Sequence, residues 1–351
     1  MRRIFVLIAV ALSATLVRAQ DAENVGNSAQ LSIIPRIDLN PYVGFRSDAG
    51  SDFSLSNSSL YTLFEGSLGE HFSYSIMNHW LSEEPASLYE DTFMRVSDVN
   101  WCDWANLTFS FGDFSITAGK CAMALGLWEQ DYYDYESHFD LNSTFWNNMQ
   151  VYQWGGDLTW DHGEVSSTTL QLLSSPFSTF GKPFENGLFS GSLLTCRDAD
   201  DFSYLLSGNL VGFDFHPYFI PEGSAKGWMK MLNAGLKYCF GDYTLGSDFG
   251  WRYAKELHLN ETTGILSLEY DPSDKLNLTA KAGYEKCREV NGFMSEYLSV
   301  DGRVFGGLAA HYFPLRDSDA LRLHAVVAFD NGYNGLSINI GALYNIAIRI
   351  Y

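Results

Sequence analysis

Basic residues are scarce in this chain: 22 Lys and Arg stand against 42 Asp and Glu over 351 residues, a formal charge of −20. Phosphate backbones are bound by a cationic surplus, so nucleic acid is excluded as a partner. Long apolar runs are missing as well. Beyond residue 19 nothing approaches the roughly 20 consecutive apolar residues that a transmembrane helix needs. The five cysteines, Cys102, Cys121, Cys196, Cys239 and Cys287, are odd in number and show no CxxC spacing, so neither a disulfide framework nor a zinc site is written here. The 8 histidines come without a Gly-x-Ser-x-Gly elbow or a His-Glu-x-x-His run, so no catalytic residue, enzyme activity or cofactor is expected. No repeat period marks a solenoid or propeller.

What is present begins with an export signal. Arg2 and Arg3 precede an apolar run over residues 4–17, and Val17-Arg18-Ala19 is a small-x-small cleavage site, so residues 1–19 read as a signal peptide. Its removal takes three arginines and no acid, which moves the charge from −20 to −23. Residues 20–351 form the single remaining domain, either soluble after export or inserted in a membrane as a barrel.

Alternation favours the barrel. Leu336, Ile338, Ile340, Ala342, Tyr344, Ile346, Ile348 and Ile350 take every second position of 336–351, a long strand with one apolar face. The same period of two runs through 321–330, 275–285 and 243–253. Candidate strands fall at 29–46, 58–68, 71–82, 103–111, 114–121, 150–161, 164–174, 201–207, 210–219, 228–240, 243–255, 262–271, 275–287, 301–313, 320–329 and 335–351. Tight joints sit at Gly69-Glu70, Gly112-Asp113, His162-Gly163, Gly208-Asn209, Gly241-Asp242, Pro272-Ser273-Asp274 and 314–319. Longer polar loops lie between them, the third over 122–149 being the longest.

An even strand count with short turns at one end and longer loops at the other is the pattern of a bacterial outer-membrane barrel. The expected fold is therefore all-β, a transmembrane antiparallel β-barrel of about 16 strands (14–18). A soluble β-sandwich also alternates, but strand length and the aromatic load, 25 Phe, 20 Tyr and 9 Trp, speak against it. Phe72, Tyr74 and Trp80 share one face, as do Tyr243, Phe249, Trp251 and Tyr253. Such groups form interfacial girdles on a barrel.

Residues 109–160 carry a family likeness. They hold Gly112-Asp113-Phe114-Ser115-Ile116-Thr117-Ala118-Gly119-Lys120, then Trp128-Glu129-Gln130-Asp131 and Tyr152-Gln153-Trp154-Gly155. Over this seventh of its length the sequence resembles a bacterial general porin, and more loosely the phosphate-selective porins. The resemblance implies that residues 125–148 fold into the barrel as a constriction loop and that the molecule is a homotrimer. The phosphate preference does not carry over, because the loop lacks clustered basic residues. The chain's end also departs from the pattern, since Tyr351 falls in phase with Arg349 and Asn345 unless a bulge intervenes.

The polar strand faces then supply pore chemistry. Lys237, Arg252, Lys281, Arg303, Arg322 and Arg349 would form a basic lumen wall, outweighing Asp248, Glu285, Asp301 and Asp330, because a mid-strand charge turned to lipid costs roughly 2–4 kcal/mol. The third loop offers Glu129, Asp131, Asp134, Glu136 and Asp140. Opposed charges across a constriction would create a transverse field. Solvated surface acids, or acids binding divalent cations between lipopolysaccharides, are the plainer alternative. His311 and His324 share the proposed lumen face, where a metal pair is one reading and ordinary lumen polarity the commoner one. Cys102 and Cys121 flank the Gly112-Asp113 turn as diagonal neighbours, a spacing that leaves both a disulfide and two free thiols open, given how strict disulfide geometry is. The Asn-x-Ser/Thr matches, Asn142 among them, read as chance.

The expected function is a passive diffusion porin for small hydrophilic solutes or ions, weakly favouring cations. The alternative is a plugged or narrow barrel serving as a binding or adhesion platform through its acidic aromatic loops. Expected partners are outer-membrane lipid and lipopolysaccharide, the barrel-assembly machinery and the solutes themselves.

Overall fold

The structure is a computed structural model that describes residues 27–45, 51–55, 58–80, 102–131, 141–143, 151–177, 184, 187–215, 225–257, 259–288, 302–316, 318–331 and 335–350. The signal peptide read over residues 1–19 lies outside them.

Eighteen strand segments follow one another: β1 (Ser28–Gly44), β2 (Ser51–Ser54), β3 (Ser59–Leu68), β4 (Phe72–His79), β5 (Cys102–Phe111), β6 (Phe114–Ala122), β7 (Tyr152–Asp161), β8 (Ser166–Ser174), β9 (Phe189–Arg197), β10 (Phe202–Phe215), β11 (Ala225–Phe240), β12 (Tyr243–Ala254), β13 (Leu259–Ser273), β14 (Leu276–Arg288), β15 (Arg303–Tyr312), β16 (Leu321–Asp330), β17 (Gly335–Tyr344) and β18 (Ile346–Arg349). Both β2 and β3 pair with β1, and β17 and β18 pair with its other edge, so each couple is one interrupted stave. Every other neighbour is the next antiparallel strand, and the sheet closes on itself as a barrel of sixteen staves. Closure leaves no sheet edge unpaired, which a strand surrounded by lipid requires. No described helix is long and apolar enough to cross a membrane.

Side chains divide by parity. On β1, Arg36 and Asp38 are buried inside while Ile37 and Leu39 stand 67% and 42% exposed outside. Leu232, Leu266 and Leu308 continue the apolar outer band on β11, β13 and β15. Aromatic rings border it at both ends. Phe72 packs on Phe109, Phe111 on Phe114, and Tyr238, Phe240, Tyr243 and Tyr270 stack in series near the short turns. Phe189 meets Trp228, and Trp251 stacks on Tyr253, near the loops. These are the girdles of a membrane barrel.

One predicted joint is corrected. Gly208-Asn209 is no turn but the middle of β10, with Gly208 on the outer face between Leu206 and Leu210 and Asn209 pointing inward. A Gly-Asn pair signals a turn only where alternation breaks, and here it continues. The strand absent from the prediction is β9, whose inner face carries Leu194 and Cys196 after Ser190 and Ser192; with apolar residues on both faces at its centre the period of two is blurred. One false division offset one missed strand, so the total survived.

The C-terminal register is uninterrupted: Leu39 pairs Ile340 and Leu31 pairs Ile348, so no bulge resets the phase of the last stave before residue 350. The disulfide left open between Cys102 and Cys121 is not formed. Both thiols are free. Cys121 turns inward into an apolar cluster, whereas Cys102 pairs with the outward Asn78 across a register shift, so the two occupy opposite faces of the wall.

Candidate pore constriction

The neck of the third loop is cut into the barrel wall by glycine. Gly119 on β6 and Gly155 on β7 pair with each other, at φ of 134° and 155°. A Cβ on Gly119 would lie 2.2 Å from the Ala105 carbonyl oxygen, so only glycine lets β5 approach so closely. Past Ala122 the chain leaves the sheet, its neck tied by Met123 N donating to Val151 O at 2.7 Å.

It then runs along the inside of the barrel. Met123, Leu125 and Leu127 are fully buried against Leu173, Val211, Phe213, Met229 and Met231, inward residues of β8, β10 and β11. Each such side chain withdrawn from water contributes roughly 1.5–3 kcal/mol, enough to hold the loop on this wall. Polar hooks fix its path. Gln171 accepts from Ala124 N and donates to Ala122 O, both at 2.9 Å. Asn209 donates to Ala124 O at 2.7 Å and Ser207 to Leu125 O at 2.6 Å. Trp128 opens a 3-10 turn (Trp128–Asp131), with its N–H on Asp248 at 2.8 Å and its ring under the Lys237 ammonium at 4.1 Å.

The loop also reaches the opposite wall. Glu129 accepts from Lys281 Nζ of β14 at 2.8 Å, and from Ser143 N and Oγ at 2.7 and 2.5 Å. Asn142 accepts from Lys281 through its side chain at 3.0 Å and from Arg303 of β15 through its carbonyl at 3.1 Å. Leu141 packs on Ala309, Val326 and Ala328 of β15 and β16. The described parts of the third loop are thus anchored to both sides of the lumen, as the resemblance implied.

Of the expected loop acids, Glu129 is this buried anchor, with neither it nor Lys281 exposed. Asp131 belongs to the 3-10 turn by its backbone, and its side chain, like Asp134, Glu136 and Asp140, lies outside the described residues.

The basic wall is corrected. Arg252 pairs with Glu261 at 2.7 Å, and Arg303 pairs with Glu285 and Asp330 at 2.6 Å each. Lys281 is matched by Glu129, Lys237 lies over Trp128, and Arg322 is buried; Arg349 sits exposed at the end of β18. The interior is a mosaic of matched charges. Glu261 escaped the sequence reading because β13 starts at Leu259, three residues before the predicted strand.

His311 and His324 face each other directly across β15 and β16, ring centroids 6.4 Å apart. His324 Nε2 lies 3.0 Å from both Asp38 Oδ1 and Asn339 Oδ1. Among the described residues no cluster of three or more His, Cys, Asp or Glu side chains is placed to hold a metal. The sequence reading missed Gln171, Ser207, Asn209 and the Asn142-Ser143 pair. The first three carried a signal in their inward phase; Asn142 was read as a chance glycosylation match.

No family model matches the sequence, and no curated protein does. The fold has solved relatives. OmpT, an outer membrane protein of Vibrio cholerae, has a TM-score of 0.61 at 10% identity over 92% of this chain and 99% of its own. An anion-selective porin from Comamonas acidovorans has a TM-score of 0.61 at 10% identity over 91% of this chain and 100% of its own. A mutant of Rh. blastica porin has a TM-score of 0.54 at 12% identity over 91% and 100%. The likeness at such identities is one of fold: a porin-type barrel.

Proposed function

We propose that this chain is a passive diffusion pore for small hydrophilic solutes across a bacterial outer membrane. The observation that supports it most is the third loop laid inside the lumen and tied to both walls, from Gln171 on one side to Lys281 on the other. A loop held this way sets the width of an aqueous path without closing the barrel ends. Charges matched within the wall exert little net field, so the overall excess of 42 acids over 22 basic residues governs which ions gather at the mouths and gives a weak preference for cations. The porin neighbours supply the fold for this reading, and the trimer form of in-vitro folded OmpT supports a homotrimer.

A narrow barrel acting through its loops is the second reading. It is favoured by the burial of inward charges such as Lys281 and Glu285, which are 3% and 2% exposed. Planar bilayers separate the two. Stable conductance steps with a cation-positive reversal potential in a KCl gradient are the expected result. A folded, heat-modifiable barrel that gives no steps overturns the pore.

A further inference from the structure

Charge sign is sorted between the two faces of this barrel. Among the described strand residues, the outward phase carries Lys120, Arg197, Lys226, Lys230 and Lys286 against one carboxylate, Asp214. In a chain with nearly twice as many acids as bases, random placement would give the reverse. Lys120 is buried and donates to the Cys102 carbonyl, and Lys226 is paired with Asp214 at 2.8 Å. Lys230 and Lys286 have no ion-pair partner among the described residues.

Their height is informative. On β11 the outward positions run from Phe240, in the turn-end girdle, through Leu236, Ala234 and Leu232 to Lys230 and Trp228. Ten residues at ~3.3 Å each, tilted about 40°, rise roughly 25 Å, the height of the apolar band of a membrane barrel. Lys230 is therefore level with the loop-side headgroups. It pairs in register with Tyr253 of β12, which stacks on Trp251, whose ring nitrogen donates to Asn260 of β13 at 3.1 Å. Thr262 in turn pairs with Lys286 of β14. Two lysines thus bracket a patch of aromatic and amide donors across four adjacent strands, roughly 14 Å wide at ~4.8 Å per strand.

We propose that this outer arc over β11–β14 is a binding site for a lipid of the loop-side leaflet whose headgroup carries more than one phosphate. The inference rests on the reading of the barrel as an outer-membrane protein. Lysine stems lie along the apolar band and bring the ammonium groups to the headgroups, where each meets a phosphate as a point charge. The flanking rings rest at the same interface, and the Asn260 amide nitrogen, whose partner oxygen accepts from Trp251, is left to donate to the sugar and ester oxygens of such a headgroup. An acidic barrel needs such a contact, since its loops repel an anionic leaflet.

The test uses full-length barrels in phosphatidylcholine nanodiscs doped with diphosphorylated lipid A or with its dephosphorylated form, and native mass spectrometry counts the lipid retained. The wild type is expected to hold the diphosphorylated form. The K230Q/K286Q double variant should lose it severalfold, while K275Q, with a lysine removed at the turn end, retains it. Equal retention of the two lipid forms, or by the double variant and the wild type, overturns the site. Heat-modifiable mobility confirms that each variant is folded, and conductance of the same preparations keeps the two readings apart. A conducting barrel without lipid preference sinks only this inference, and a lipid-binding barrel without conductance sinks only the pore.

Discussion

Lys281 shows what a charged side chain requires inside a barrel. Its ammonium is fully buried, and it is held by Glu129 and by the Asn142 side chain from a loop 139 to 152 residues away in sequence. Desolvating two charges offsets most of their attraction, so the pair adds little net stability, yet removing one partner leaves an uncompensated buried charge that costs about 3–5 kcal/mol. Glu129→Gln is therefore expected to lower the unfolding free energy by about 3 kcal/mol, measured by urea titration of the barrel in lipid vesicles. The E129Q/K281M double variant should recover at least ~1.5 kcal/mol relative to the sum of the single effects, because the lost interaction is shared. Singles that stay within ~0.5 kcal/mol of wild type would show that Glu129 does not anchor the loop. The same residue marks a limit of sequence reading. Glu129 was picked out as a loop acid and Lys281 as a wall base, but their pairing was not, because a contact across 152 residues leaves no trace in local spacing.

At the scale of the strand, alternation carried the fold and failed where it had to. The hairpins around Gly112-Asp113 and Gly241-Asp242 were readable because one face of each strand is apolar and the turn glycines take φ of 57° and 62°. β9 was hidden because it lines the lumen where the third loop docks, so its inner face changes from Ser190 and Ser192 to Leu194 and Cys196 and the alternation is lost partway. Loop docking was therefore written in the sequence as an apparent defect of pattern: Leu173, Val211, Phe213, Met229 and Met231 are apolar on the side that should be polar. Glycine at the loop neck belongs to this scale too. Gly119→Ala would place a methyl against the Ala105 carbonyl at a positive φ, a strain of about 1–3 kcal/mol that moves the neck itself. Gly264 on the outer face of β13 meets nothing within 4 Å, so Gly264→Ala should be neutral or stabilising by about 0.5 kcal/mol. Urea unfolding of both variants checks the contrast, and equal effects would rule out the close approach at Gly119.

For the whole molecule, the question is how a barrel with so many acids treats ions inside. The described lumen carries Arg36, Lys237, Arg252, Lys281, Arg303 and Arg322 against Asp38, Asp103, Glu129, Asp157, Asp248, Glu261, Glu285 and Asp330, so carboxylates are in the majority there too. Most of these charges have an opposite within contact distance, so a passing ion a few ångströms away sees dipoles rather than a wall of one sign. Breaking one pair converts a dipole into a monopole. Lys281→Met should therefore move the reversal potential toward cations, Glu129→Gln should move it toward anions, and the double variant should return close to wild type. The shifts should be clear at 0.1 M KCl, where screening acts over ~10 Å, and fade at 1 M, where it acts over ~3 Å. Shifts of opposite sign that cancel in the double variant would locate the Glu129–Lys281 pair beside the path of the ions. Single variants that leave the potential unmoved at low salt would mean that ions do not pass this level of the barrel, and the third loop would then be a plug rather than a constriction.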